Sequence, residues 1–161
     1  MSASFRTVLA ATLLVTASCL APTITSAAAV DPYPNGCVSC HALDKAKGKD
    51  QRLSVAFKQW TAGKIEPGLL AKSKASAPAG LTLKGKHPAA DDALEDIPGS
   101  CLDCHDAGSK KAPPFSRLLH QVHLVGGASN AFVTAYKSDC MSCHKLNTTT
   151  GEWTMPSGPE K

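Results

Sequence analysis

Three pentapeptides of one pattern constrain this chain more than any other feature: Cys37-Val38-Ser39-Cys40-His41, Cys101-Leu102-Asp103-Cys104-His105 and Cys140-Met141-Ser142-Cys143-His144. They take up six of the seven cysteines and three of the six histidines. Two cysteines three positions apart on one tight turn place both sulfurs where they can add across the two vinyl groups of one porphyrin. The histidine that follows then lies beneath the iron, so each pentapeptide reads as a covalent haem attachment site. Zinc is the competing reading, with a spare histidine as fourth ligand to each Cys2His set. A histidine directly after the second cysteine is awkward for a tetrahedron, however. A disulfide within each Cys-x-x-Cys would leave the histidine unexplained.

On these three motifs the sequence resembles the multihaem c-type cytochromes. The resemblance implies three covalently bound haem c groups, held through Cys37, Cys40, Cys101, Cys104, Cys140 and Cys143, with His41, His105 and His144 as proximal iron ligands. It also implies a fold class: mostly α with much irregular loop, a small multihaem cytochrome c fold in which the haems form the core. Composition agrees, because aromatics make up only 5% of the chain and long apolar runs are absent beyond its first 29 residues. A polypeptide core alone would be thin at this size.

Those first residues differ from the rest. Arg6 is their single charge, an apolar stretch from Val8 to Leu20 follows, and Ala27-Ala28-Ala29 offers the small-x-small pattern of a cleavage site. The run is short against the roughly 20 residues of a spanning helix. The expectation is a secretory signal peptide over 1–29, a trihaem cytochrome c domain over 30–161, and a periplasmic or otherwise exported protein with no stable membrane span after cleavage. Cys19, after Thr16-Ala17-Ser18, is the alternative as a lipidated first residue, but it lacks the usual leucine of a lipobox. The formal charge of +4 is misleading, since the haem propionates bring the oxidised protein to about zero. No Lys/Arg stripe suits nucleic acid.

Along the chain, Asp31 to Gly36 reads as loop and Asp44 to Arg52 as solvated surface. Leu53, Phe57 and Trp60 share a helical face, which predicts a helix from about Leu53 to Ala62. Gly63 to Leu83 reads as an extended connection without periodicity. Phe115 to Leu124 has helical spacing and a stop at Gly126-Gly127, a second short helix is expected over Asn130 to Tyr136, and the tail from Asn147 has turn composition. The first cysteines of successive motifs lie 64 and 39 residues apart, too irregular for a solenoid.

Three histidines remain, His87, His120 and His123, one for each haem. The count predicts that all three are distal ligands and that every iron is bis-histidine. His120 and His123 are three apart on one helix and project from nearly one face. In this the chain is similar to the class III cytochromes c, whose His-x-x-His element serves two different haems, and the resemblance implies that one helix bridges two haems here. Class III proteins usually carry four haems on a shorter chain. Met155-Pro156 resembles the axial methionine of class I cytochromes and is the competing ligand.

Closed iron centres imply a low-potential electron carrier rather than an enzyme, one that relays electrons between redox protein partners such as a membrane quinol dehydrogenase and a terminal reductase in anaerobic respiration. Lys110, Lys111 and Lys137 are candidates for steering a partner, with solvated surface as their plainer role. The alternatives are a subunit or filament protomer of a larger conduit, and an enzyme in which His87 leaves one iron open.

Overall fold

The computed structural model describes residues 30–160; the expected leader and Cys19 lie outside the described residues. From Asp31 onward the chain forms one unit. Its regular elements are short and mostly helical: α1 (Cys37–Cys40), α2 (Leu53–Thr61), α3 (Pro67–Ser76), α4 (Leu102–His105), α5 (Phe115–Leu124) and α6 (Ala131–Ala135). Single 3-10 turns cover Asp91–Glu95, Gly99–Cys101, Gly127–Ser129 and Cys140–Ser142. Two two-residue antiparallel ladders complete the set, β1 (Leu43–Asp44) with β2 (Lys49–Asp50) and β3 (Lys145–Leu146) with β4 (Trp153–Thr154). The mostly helical class read from the sequence is what the backbone shows. No described helix is long and apolar enough to cross a membrane.

Helices α2 and α5 fall where apolar periodicity places them, and α6 lies within the short helix expected over Asn130 to Tyr136. Asn130 caps α6, its Oδ1 accepting from Phe132 N at 3.0 Å, while its Nδ2 donates to the carbonyls of Val122 and Val125 at 2.9 Å each. One buried side chain thereby ties the end of α5 to the start of α6.

Helix α3 corrects the reading of Gly63 to Leu83 as an extended connection. Its lysines and serines are spread around the helix, so no apolar stripe announces it. Its start is set locally instead: Pro67 takes the first helical position, and Glu66 accepts from Gly68 N at 2.9 Å and Leu69 N at 2.8 Å. Packing against α5 then fixes it, with Ser76 fully enclosed.

The tail is likewise more ordered than its turn composition suggests. Ile97 and Gly158 exchange both backbone hydrogen bonds, at 2.8 and 3.0 Å. Ser157 Oγ accepts from Gly99 N and donates to Asp96, and the Glu160 carboxylate accepts from Ser54 N at the start of α2. Residues 156–160 therefore link the approaches to the first two pentapeptides.

Of the described apolar side chains, Val38 and Ile97 are buried, together with Pro98, Pro113 and Pro114. Leu102, Leu124, Val125, Met141 and Trp153 stand exposed. So few buried apolar side chains fall far short of what the conformational entropy of a chain this long demands.

Candidate functional site

Each pentapeptide folds into one tight turn, for which the local sequence supplies different locks. In α1, Gly36 precedes Cys37 at φ +57, where a Cβ would also lie 3.3 Å from the Pro156 carbonyl oxygen. Val38 is enclosed beneath the turn, and His41 N donates to Cys37 O at 2.9 Å. The second motif runs from a 3-10 turn into α4, closed by Ser109 Oγ donating to Cys104 O at 2.7 Å. In the third, Asp139 accepts from Met141 N at 2.9 Å and from Ser142 Oγ at 3.2 Å, and His144 N donates to Cys140 O at 2.9 Å. Among the described residues, the six pentapeptide cysteines form no disulfide. Burial, with the neighbouring Cys143, pushes the Cys37 thiol up to about 11. Burial also raises Cys40, Cys101 and Cys143. These sulfurs are held as neutral thiols.

The histidines associate in three pairs, and every pair joins a pentapeptide histidine to a spare one. The ring centroids of His41 and His123 are 6.2 Å apart, with planes at 80°. Those of His87 and His105 are 6.1 Å apart and nearly parallel, at 10°. His120 and His144 are separated by 6.2 Å at 41°. These separations have a simple metric meaning. Two imidazoles bound to opposite sides of one metal, with bonds of about 2 Å and ring nitrogens about 1 Å from each centroid, stand about 6 Å apart.

The ring nitrogens are prepared in the same sense. Nδ1 of His41 donates to Gln51 O at 3.1 Å, that of His87 to Pro88 O at 2.7 Å, that of His105 to Pro113 O at 2.7 Å and that of His123 to Leu119 O at 3.0 Å. A carbonyl only accepts, so Nδ1 carries the proton and Nε2 is left with its lone pair, the state a metal requires. Burial lowers the pKa of His87 and of His123, which keeps both neutral. None of these carbonyl partners left a signal in the sequence, because any residue supplies one.

Different elements deliver the spare histidines. His87 sits in a loop docked on α2: its N–H donates to Trp60 O at 3.1 Å, and its ring lies 4.8 Å from Phe57 and 6.3 Å from Trp60. His120 and His123 both come from α5, and Phe115 at the start of that helix reaches His105 at 6.2 Å. One ten-residue helix thus touches all three pairs. Beside it lies a cavity of about 250 Å³ walled by Leu102, Phe115, Leu119, Leu124, Phe132 and Met155. Cys140, Cys143, His120 and His144 also border it, as do His105 from the second motif and His123. Met155 therefore faces the third site as part of an apolar wall, while His120 stands opposite His144.

Among the described residues no three or more His, Cys, Asp or Glu side chains cluster to hold a bare metal ion. The donors are arranged in facing pairs, each with one member from a cysteine turn, and an apolar-walled cavity borders the third pair. That arrangement is compatible with a flat apolar group bearing a metal at its centre. Compared with protein-family models, with curated proteins and with solved structures, the chain matches none.

Proposed function

We propose that each histidine pair holds the iron of one haem c, and that the protein is an exported low-potential electron carrier relaying electrons between respiratory redox partners by outer-sphere transfer. The observation that carries this reading is the one-to-one pairing of His41 with His123, His105 with His87 and His144 with His120 at about 6 Å. Cys37 and Cys40, Cys101 and Cys104, and Cys140 and Cys143 are the thioether donors. When bound, haem c supplies a one-electron iron couple whose potential is low with two imidazole ligands.

The chain's own residues do the rest. Facing imidazoles leave no coordination position for nitrite, peroxide or oxygen, so chemistry at iron would require displacing a ligand. The carbonyls of Gln51, Pro88, Pro113 and Leu119 fix ring tautomer and orientation, which limits rearrangement on electron transfer. Leu119, Phe132 and Met155 give the cavity beside α5 an apolar wall. Helix α5 carries ligands of two sites one turn apart, which keeps those sites close enough for tunnelling. The near absence of a polypeptide core supports the same reading, with porphyrins as the missing apolar bulk.

A second reading, a protomer of a larger conduit, draws on the cross-strand pair Leu146 and Trp153, which are 39% and 60% exposed on one hairpin beside the third motif. The native mass of the purified protein separates monomer from assembly. For the main reading, a pyridine haemochrome assay with intact mass is expected to give three added haems, and electron paramagnetic resonance purely low-spin ferric signals. Zero haem ends the haem proposal, and a stoichiometric high-spin signal moves the protein to the enzyme class.

A further inference from the structure

Three basic side chains near the pentapeptides are neutralised in direct contact with a carboxylate: Lys47 with Asp44 at 3.0 Å, Arg52 with Asp50 at 2.7 Å and Lys145 with Asp31 at 2.7 Å. Lys72 is different. It reaches from α3 across the last turn of α5, where its half-buried side chain donates from Nζ to the Val122 carbonyl at 3.1 Å. Val122 is the residue before His123, and its carbonyl is fixed from the other side by the buried Asn130. Glu66, which caps α3, has both carboxylate oxygens hydrogen-bonded to the helix N-terminus and feels the Lys72 charge without contacting it. The Lys72 ammonium is thus anchored to a neutral acceptor. Arg117, which shares a surface hollow with His120, is exposed, so solvent screens its charge.

We propose that Lys72 is a positioning residue that raises the reduction potential of the His41/His123 haem relative to the other two, making this site the one where electrons rest. The proposal rests on the haem reading. Its physical basis is Coulombic: adding an electron lowers the positive charge at iron, and a fixed cation in a partly water-excluded place favours that reduced state. The effect is selective because Lys72 hangs over the His123 end of α5.

The test uses the mature holoprotein and two variants. Lys72→Gln keeps a donor for the Val122 carbonyl and removes the charge, whereas Lys72→Arg keeps the charge. The centre to follow is identifiable, since the crossed ring planes of His41 and His123 give a low-spin resonance distinct from that of the parallel His87/His105 pair. In Lys72→Gln a redox titration is expected to shift the oxidised-to-reduced ratio of that centre ~10-fold toward oxidised at fixed potential, about 59 mV for one electron, with the other centres moving under ~2-fold. Lys72→Arg is expected to stay within ~2-fold of the unmodified protein at all three. A uniform shift, no shift, or equal shifts in both variants overturns the role of Lys72 while leaving three low-spin haems in place. An unmodified protein that carries no haem overturns the underlying reading instead.

Discussion

His123 shows how much one side chain can be asked to do. Its ring faces His41, its Nδ1 is tied to Leu119 within α5, and Phe132 packs against it at 5.4 Å. Replacing His123 with alanine is expected to convert one of three low-spin centres to high spin and leave two unchanged, as read by electron paramagnetic resonance; loss of signal at all three would refute a one-to-one pairing. The ring angles make a finer prediction. Crossed imidazoles at 80° leave two iron d orbitals nearly degenerate, whereas rings at 10° split them. One strongly anisotropic and one rhombic low-spin signal are expected, and three identical rhombic signals would contradict the geometry. Asn130 is the structural counterpart. Its buried amide holds the carbonyls of Val122 and Val125, so Asn130→Ala should cost about 1–3 kcal/mol in denaturant unfolding of the holoprotein.

Among the elements, α5 and the tail bind the sites together. Helix α5 was legible because Phe115, Leu119 and Val122 repeat at helical spacing and Gly126, at φ +121, cannot continue it. Helix α3 was not, because its start depends on a Glu66 side chain that caps rather than packs, and its stability depends on contact with α5. The tail escaped for the same reason: turn residues say where a chain bends, not what it pairs with. Ending the chain after Met155 removes the Ile97–Gly158 exchange, the Ser157–Asp96 contact and the Glu160 cap on α2. That truncation is expected to lower holoprotein stability by about 2–4 kcal/mol in denaturant unfolding while haem content stays unchanged. An unaltered unfolding midpoint would show that the tail is only draped over the surface.

The whole molecule has a pH dependence whose sign follows from its histidines. His87 and His123 are held below the ordinary value of 6.5, chiefly by burial. As pH falls through 6.5 the unfolded chain takes up protons that the folded one refuses, so unfolding becomes easier; above that value the two states bind alike and stability is level. On the proposed haem reading, iron ligation through the same nitrogens would act in the same direction. The lowered carboxylates Asp31, Asp44 and Asp50 add their losses only further down, below the ordinary carboxylate value of 3.8. Denaturant midpoints measured at neutral pH and about one and two units below 6.5 are expected to fall steadily, and a flat profile would contradict the burial of these rings. With Val38, Ile97 and three prolines as its enclosed apolar side chains among the described residues, the haem-free chain is expected to lack a cooperative transition by circular dichroism. A cooperative apo-protein would locate the missing core elsewhere.

The sequence alone determined what is short-range. Cys-x-x-Cys-His is a chemistry written within one turn, helical periodicity a property of about ten neighbouring residues, and the match between three motifs and three spare histidines a matter of counting. These gave the helical class, α2, α5 and α6, and the full set of residues that the structure brings together. Tertiary structure decided which histidine faces which, because His41 meets His123 across most of the chain and nothing local records that path. It also decided that α3 is a helix, that the tail joins two sites, and that Lys72 lies beside His123 with a carbonyl as its partner. Each of these depends on backbone groups and charges that come together only on folding, and a backbone carbonyl is the same in every residue.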